Sequence, residues 1–343
     1  MKVGLKMALC VLLCFGCLLL AVGVGSVSLG AFDIVRILLH KLFGMALPET
    51  VSPANIAIVW TIRMPRVLLA FCVGAMLSVS GTVMQSVLRN PLASSYTLGV
   101  SSGASLGAAA VILTGFTLPG IGQFTLPLVG LVSGLLAVAL AVAFASRVDR
   151  GMRSNTIILA GMVFSLFINA VLTLLYAFAR ENTQRLLHWQ MGSFALKGFG
   201  EVGLLMPVGA VGIVLLLALS REMDILSFGE EDAGAMGVDT RRTKWLLLFL
   251  AAALTGSAVA FAGVIGFVDL VAPHVVRKFF GARHRLVVPM SAVVGGGFMA
   301  LCDMVARTVV APVELPVGAV TALIGAPFFT YVYFRRRREG GAA

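Results

Sequence analysis

The hydrophobic pattern of this chain is a succession of uncharged apolar runs, separated by short segments that carry almost all of its charge. A helix needs about 20 residues to cross the hydrocarbon core of a bilayer, and ten runs fit that requirement. They cover 7–32, 67–88, two within 90–146, then 154–179, 202–220, 245–266, 268–280, 286–306 and 315–334. The eighth is the least clean. The stretch 90–146 holds 57 consecutive uncharged residues and divides at "LPGIGQ" (118–123). The segment 33–60, with Pro48 and Pro53, reads as an extramembrane loop. The pattern therefore predicts an all-α polytopic membrane protein with ten transmembrane helices. A transmembrane β-barrel would show short alternating segments instead. Lys2 and Lys6 before the first run also suit a cleaved signal sequence, but that run is too long and further spans follow.

Composition narrows the class. Of 343 residues, 59% are hydrophobic and 12% charged, where a soluble domain carries about a quarter. The mean hydropathy is +1.01. A single membrane domain over 1–343 is expected, with one sizeable polar insertion at 220–244.

A net charge of +11 would suit nucleic acid if the cations formed one face, but they flank the apolar runs. With both termini in the cytoplasm, 18 of the 26 Lys and Arg fall inside and 8 outside, as positive-inside orientation requires. N-in, C-in topology is expected, and no nucleic-acid partner. Cys10, Cys14, Cys17, Cys72 and Cys302 all lie in apolar runs, where thiols act as small apolar groups. The four histidines are scattered, so no metal site is expected.

Three stretches interrupt the apolar pattern. In "RNPLASSYTLGVSSGASLG" (89–107), Pro91 prevents Asn90 from continuing a helix. Gly99, Gly103 and Gly107 then recur every four residues, which suits close helix packing. The hydroxyls of Ser94, Ser95, Ser101, Ser102 and Ser105 exceed what packing needs and suggest a polar wall at a pathway mouth. In the loop 220–244, Ser227 and Glu230 are spaced as a capping box. Glu230, Glu231 and Asp232 occupy the favourable end of a helix dipole, and Gly237 terminates the helix. A short rigid helix at the cytoplasmic face is expected. The third feature is sparse intramembrane charge: Asp269, Asp303, Arg307 and Glu314, with Asp303 and Arg307 spaced as an i,i+4 pair.

Together these motifs resemble the FecCD-type permeases of ABC importers for iron siderophores, haem and vitamin B12. The resemblance rests on "RMPRVLLAFCVGAMLSVSGTVMQSVLRNPLASSYTLGVSSGASLG" (63–107), "HWQMGSF" (188–194), "FGEEDAGAMGVD" (228–239), "GVIGFVDLVAPHVVR" (263–277) and "CDMVARTVVAPVELPVGAVTALIGAPFF" (302–329). It implies a permease, not an enzyme, in the bacterial inner membrane. It implies a homodimer with a central pathway, two ABC ATPase subunits on the cytoplasmic face and a substrate-binding protein outside. The chain has no G-x-x-x-x-G-K-[ST] loop, so ATP and Mg²⁺ would be bound by the ATPase and no cofactor by this chain. The coupling role falls on Ser227, Gly229, Glu230, Glu231, Asp232, Ala233 and Gly237. Docking of the binding protein falls on Arg63, Arg66 and Arg307, and the inner gate on Asn90, Pro91 and Leu92 opposite Ser154 and Asn155. Gln85 and Ser101 are expected on the pathway. A ferric siderophore is the first cargo expected, then haem and cobalamin.

Asp269 departs from the family, which has a small residue there; it would face the lumen, or pair with His274 or Arg277. "VGAMLSVSGTVMQ" (73–85) and "LAAALTGSAVAFAG" (250–263) raise an inverted internal repeat. An ion-coupled carrier would need an acidic relay, for which only Asp269 offers itself. A non-transporting scaffold would tolerate changes at Gln85 and Ser101.

Overall fold

The computed structural model describes residues 3–25, 29–47, 51–149, 151–179 and 182–340, without the side chains of 31 and 332–340. Lys2, Pro48, Arg150, Arg180 and the side chains at 335–338 lie outside the described residues. No water is present in hydrocarbon to satisfy an open backbone, so the apolar runs become helices, and every element described is helical. Helix α1 (Val3–Gly23) is followed by α2 (Ala31–Phe43), which lies in the expected outer loop. Helix α3 (Pro53–Ala57) passes through a π-helical stretch (Ile58–Arg63) into α4 (Met64–Val87). A 3₁₀ turn (Ser95–Leu98) leads to α5 (Val100–Thr114), α6 (Thr125–Val148) and α7 (Ser154–Phe178). Next come α8 (Thr183–Met191), α9 (Phe199–Ala218), α10 (Ser220–Leu226) and α11 (Glu230–Ala235). Four helices complete the chain: α12 (Thr240–Ala262), α13 (Val268–Phe280), α14 (His284–Ala306) and α15 (Val317–Gly340).

Seven helical stretches are long and apolar enough to cross a membrane, 53–87 counting as one. Helices α5, α13 and the apolar part of α15 are shorter. Cys14 and Cys17 stand at C-x-x-C spacing on α1, where Cys14 donates to the Val293 carbonyl at 3.3 Å.

Helix α4 is the centre of the packing. In its most apolar window 89% of residues are buried, against 11% in α1 and 22% in α9. It is held by backbone proximity and hydroxyls. A Cβ on Gly295 of α14 would overlap the Ser78 hydroxyl and lie 2.6 Å from the Gly74 carbonyl oxygen. A Cβ on Gly81 would overlap the Asp269 backbone of α13. The Ser80 hydroxyl donates to the Ala251 carbonyl of α12 at 2.8 Å and accepts from Thr255 at 2.7 Å. The Thr82 and Ser291 hydroxyls pair at 3.0 Å.

The glycine series divides. Gly103 packs on α6, where a Cβ would lie 2.6 Å from that of Ala137, and Gly107 abuts Ser133 and Val129. Gly99 is buried too, a Cβ there lying 3.3 Å from the Ser165 hydroxyl, but it precedes the helix. It sits at φ 90° between the 3₁₀ turn and α5, a conformation glycine adopts without cost. The loop 220–244 is likewise not one capped helix. Ser227 closes α10, its hydroxyl donating to the Asp224 carbonyl at 2.6 Å, and Gly229 takes the N-cap of α11. The chain bends at 227–229, so Ser227 is too far back to cap. Gly237, at φ 87°, does end α11. Its N–H reaches the Gly234 carbonyl and the Val238 N–H that of Ala233, both at 3.0 Å, the double bond of a Schellman ending.

Adding one methyl at a glycine should have opposite signs at two sites. Gly295→Ala is expected to lower unfolding stability by about 1–3 kcal/mol through overpacking. Gly203→Ala, on α9 with nothing within 4 Å, should be neutral or raise stability by up to about 1 kcal/mol through helix propensity. Thermal unfolding in detergent measures both.

Candidate functional site

Two cavities and two charge clusters gather most of the polar residues that the sequence singles out. At the end of α4, Arg89 takes a positive φ of 49° ahead of Pro91. The Asn90 carboxamide oxygen accepts the Leu92 N–H at 2.9 Å, and the Asn90 N–H bonds the Gln85 carbonyl at 3.1 Å. The result is a tight Asx turn with Pro91 and Leu92 exposed. Beside it opens a cavity of about 560 Å³ lined by Leu88, Arg89, Ser154, Asn155, Gly229 and the acids Glu230, Glu231 and Asp232. The end of α4, the start of α7 and helix α11 thus meet in one cleft. Ala233 is buried beneath α11, while Glu231 and Asp232 are exposed.

Glu230 is not free. It pairs with Lys244, whose side chain is 1% exposed and also donates to the Met152 carbonyl at 2.8 Å. Lys244 therefore pins α11 to both α12 and the turn before α7. In that turn, the Arg153 N–H, the Gly151 N–H and the Arg153 guanidinium all point at Asp149. Those bonds hold its carboxyl below the usual carboxylate range.

The second cavity, about 450 Å³, lies among the apolar helices. Its walls include Tyr96, Ser101, Ser102 and Ser105 from the Ser/Gly stretch, and Ser165, Asn169 and Gln190 beyond it. Among the described residues, no charged side chain lines it. Ser101 is brought there as expected; Ser165, Asn169 and Gln190 went unnoticed. Their signal was available, since Ser165 and Asn169 stand four apart on the otherwise apolar α7 and share one face.

Gln85 is not on this wall. It is 5% exposed, donates to the Asp269 backbone carbonyl at 3.1 Å and accepts from Arg277. Asp269 neither faces an open lumen nor pairs with Arg277. Its carboxylate accepts from Ser94, which fastens the 90–99 segment to α13.

The outer arginines also differ from expectation. Arg63 and Arg66 are 4% and 8% exposed. Arg66 forks onto both Asp303 oxygens from Nε at 3.0 Å and reaches the Glu314 oxygens at 2.7 and 3.1 Å. Arg63 donates to the Val22 and Gly23 carbonyls at 3.0 and 2.9 Å. Arg307 donates to the Ala21 carbonyl and lies 3.6 Å from Asp303. These guanidiniums close the end of α1, where orphan carbonyls need donors, and neutralise buried acids. Each of them is hydrogen-bonded within the chain.

Residues 11–335 match the model of the FecCD transport family. An uncharacterised ABC transporter permease, YvrB of Bacillus subtilis, is 39% identical over 94% of this chain and 91% of its own. The cobalamin import permease BtuC of Halobacterium salinarum is 41% identical over 83% of this chain and 74% of its own. Among solved structures, an inward-facing conformation of a metal-chelate type ABC transporter superposes with a TM-score of 0.82 at 31% identity. That superposition covers 95% of this chain and 97% of the other.

Removing one partner of a buried ion pair leaves the other uncompensated. Arg66→Met should cost about 3–5 kcal/mol of stability, read by denaturant unfolding in detergent. The double variant Arg66→Met/Asp303→Leu should recover only part of that loss, because Arg307 then loses Asp303 and Glu314 stays without Arg66.

Proposed function

The chain belongs to the FecCD transport family, and on that premise we propose that it is the membrane-spanning permease of an ABC importer. It would carry a metal chelate inward from an external binding protein, with ATP and Mg²⁺ held by a separate ATPase. The observation that carries this reading is the inner cleft. There an acidic helix suited to receiving an ATPase surface stands against the turn at the end of the central helix. Two copies would form the pathway, each crossing the bacterial inner membrane ten times with both termini in the cytoplasm, the halves related by an inverted repeat.

Within that frame, helix 230–235 with its flanks Ser227, Gly229 and Gly237 takes up ATPase movement. Asn90, Pro91 and Leu92 with Ser154 and Asn155 form the inner gate. Ser101, with Ser102, Ser105, Ser165, Asn169 and Gln190, supplies the wall. Gln85 stiffens α4 behind it. An uncharged wall of hydroxyls and amides suits a bulky polar chelate that must pass without sticking, since tight binding in the pathway would slow release. A ferric siderophore is the first cargo to test. Cobalamin is the second, because a relative 41% identical is a cobalamin permease.

The test is uptake into proteoliposomes holding this chain and its co-purified ATPase, with ATP inside and binding protein outside. Labelled ferric siderophores, haem and cobalamin are offered in turn. Accumulation of one of them only with ATP is the expected result. Glu231→Arg should lower it by about tenfold or more, the scale of an ordinary coupling free energy. The fold should tolerate that change within about 0.5 kcal/mol, as surface substitutions do. Accumulation that ignores ATP and follows an ion gradient would overturn the reading.

A further inference from the structure

A chain of three side chains connects the loop carrying α11 to the last turn of α4. The Asp224 carboxylate of α10 accepts the His284 ring at Nδ1, 2.6 Å away, and the His284 backbone N–H at 3.0 Å. The same ring's Nε2 lies 2.6 Å from the Ser86 hydroxyl. A carboxylate only accepts, so Nδ1 carries the ring proton and Nε2 takes the hydroxyl's. His284 and Ser86 are buried, while the Asp224 side chain is 40% exposed. The order resembles a hydrolase triad, yet Ser86 is inside a helix and 8% exposed. No acyl group could reach its oxygen.

What the chain joins gives it a role. Asp224 stands in α10, separated from α11 by residues 227–229 alone. Ser86 stands three residues before Arg89, where the backbone turns into the Asn90-Pro91-Leu92 segment. Neighbouring bonds brace the same turn of α4: Arg277 donates to the Gln85 side chain and to the Thr82 carbonyl at 3.2 Å. His284 is the first residue of α14, so the ring is anchored on a rigid element between the two moving ends. Hydrogen bonds of 2.6 Å on both ring nitrogens of a buried imidazole leave little slack between the two ends.

We propose that Asp224, His284 and Ser86 are positioning residues that transmit displacement of helix 230–235 to the inner end of α4, moving the turn at 90–92. This inference rests on the importer reading, and its test separates the two.

Spin labels are placed at position 236, exposed at the end of α11, or at position 92, one per subunit, in the assembled importer with its ATPase. The background lacks the five native cysteines. The distance between the two copies is measured without nucleotide and with ATP and vanadate. In the otherwise unchanged chain, both distances are expected to shift. In Ser86→Ala, and in Asp224→Asn at the exposed end, the shift at 236 should persist while most of that at 92 is lost. Ser86→Thr, which keeps the hydroxyl, should restore it. A purely structural role would lower assembly or thermal stability without splitting the two positions. If both positions still move in Ser86→Ala and Asp224→Asn, or both stop together, the relay is wrong. If neither moves in the unchanged chain, the coupling reading under "Proposed function" fails and the relay falls with it.

Discussion

Helix α4 has almost no lipid-facing side, and the rest of the molecule is arranged around that constraint. In hydrocarbon there is no hydrophobic drive between helices, so close backbone approach and hydroxyl-to-carbonyl bonds must hold them. The sequence of α4 supplies both, with Gly74 and Gly81 for approach and Ser78, Ser80 and Thr82 for bonding. The result is a central rod fastened to α12, α13 and α14 at successive levels. Peripheral helices such as α1 and α9 need only be apolar, which is why they carry long uninterrupted runs.

The charges sit at the two ends of this assembly and serve different purposes. At the outer end, Arg63, Arg66 and Arg307 close the last carbonyls of α1 and balance Asp303 and Glu314. A buried ion pair is costly to assemble and costly to break singly, so this cluster fixes the register of α1, α4 and α14 against one another. At the inner end, Lys244 pins α11, but Glu231 and Asp232 stay in water. One cluster is closed within the chain, and the other leaves two carboxylates in water. Among the described residues, the cavity wall between them carries no charge.

The break at Pro91 and the packing of Gly103 and Gly107 were legible in the sequence, because each follows from residue type and local spacing; where ten spans were expected, seven described helical stretches are long and apolar enough to cross a membrane. The failures have a common cause. Whether a boundary arginine faces water or a carboxylate 237 residues away is decided by tertiary contact, and Arg66 with Asp303 has no local signature. Gln85 looks like a pathway residue along one helix, yet its buried amide bonds the Asp269 carbonyl and Arg277 of another. Ser227 fits a capping box by spacing, but the chain bends at 227–229 first. The hydroxyl wall was half legible. Ser101, Ser102 and Ser105 stood out in a dense cluster, whereas Ser165 and Asn169 were diluted in the apolar α7.

Asp269 shows how a departure from a family pattern can be absorbed structurally. An acid in a buried helix start must be solvated by something, since an unpaired buried charge is prohibitively costly. Ser94 supplies a bond to one carboxylate oxygen, the other being buried without a hydrogen-bond partner, and the Asp269 backbone carbonyl accepts from Gln85. The acid therefore joins the 90–99 segment to α13 and α4 at the level where the Asx turn leaves the helix. A lone acid held this way is not the stepwise carboxylate path that ion coupling requires.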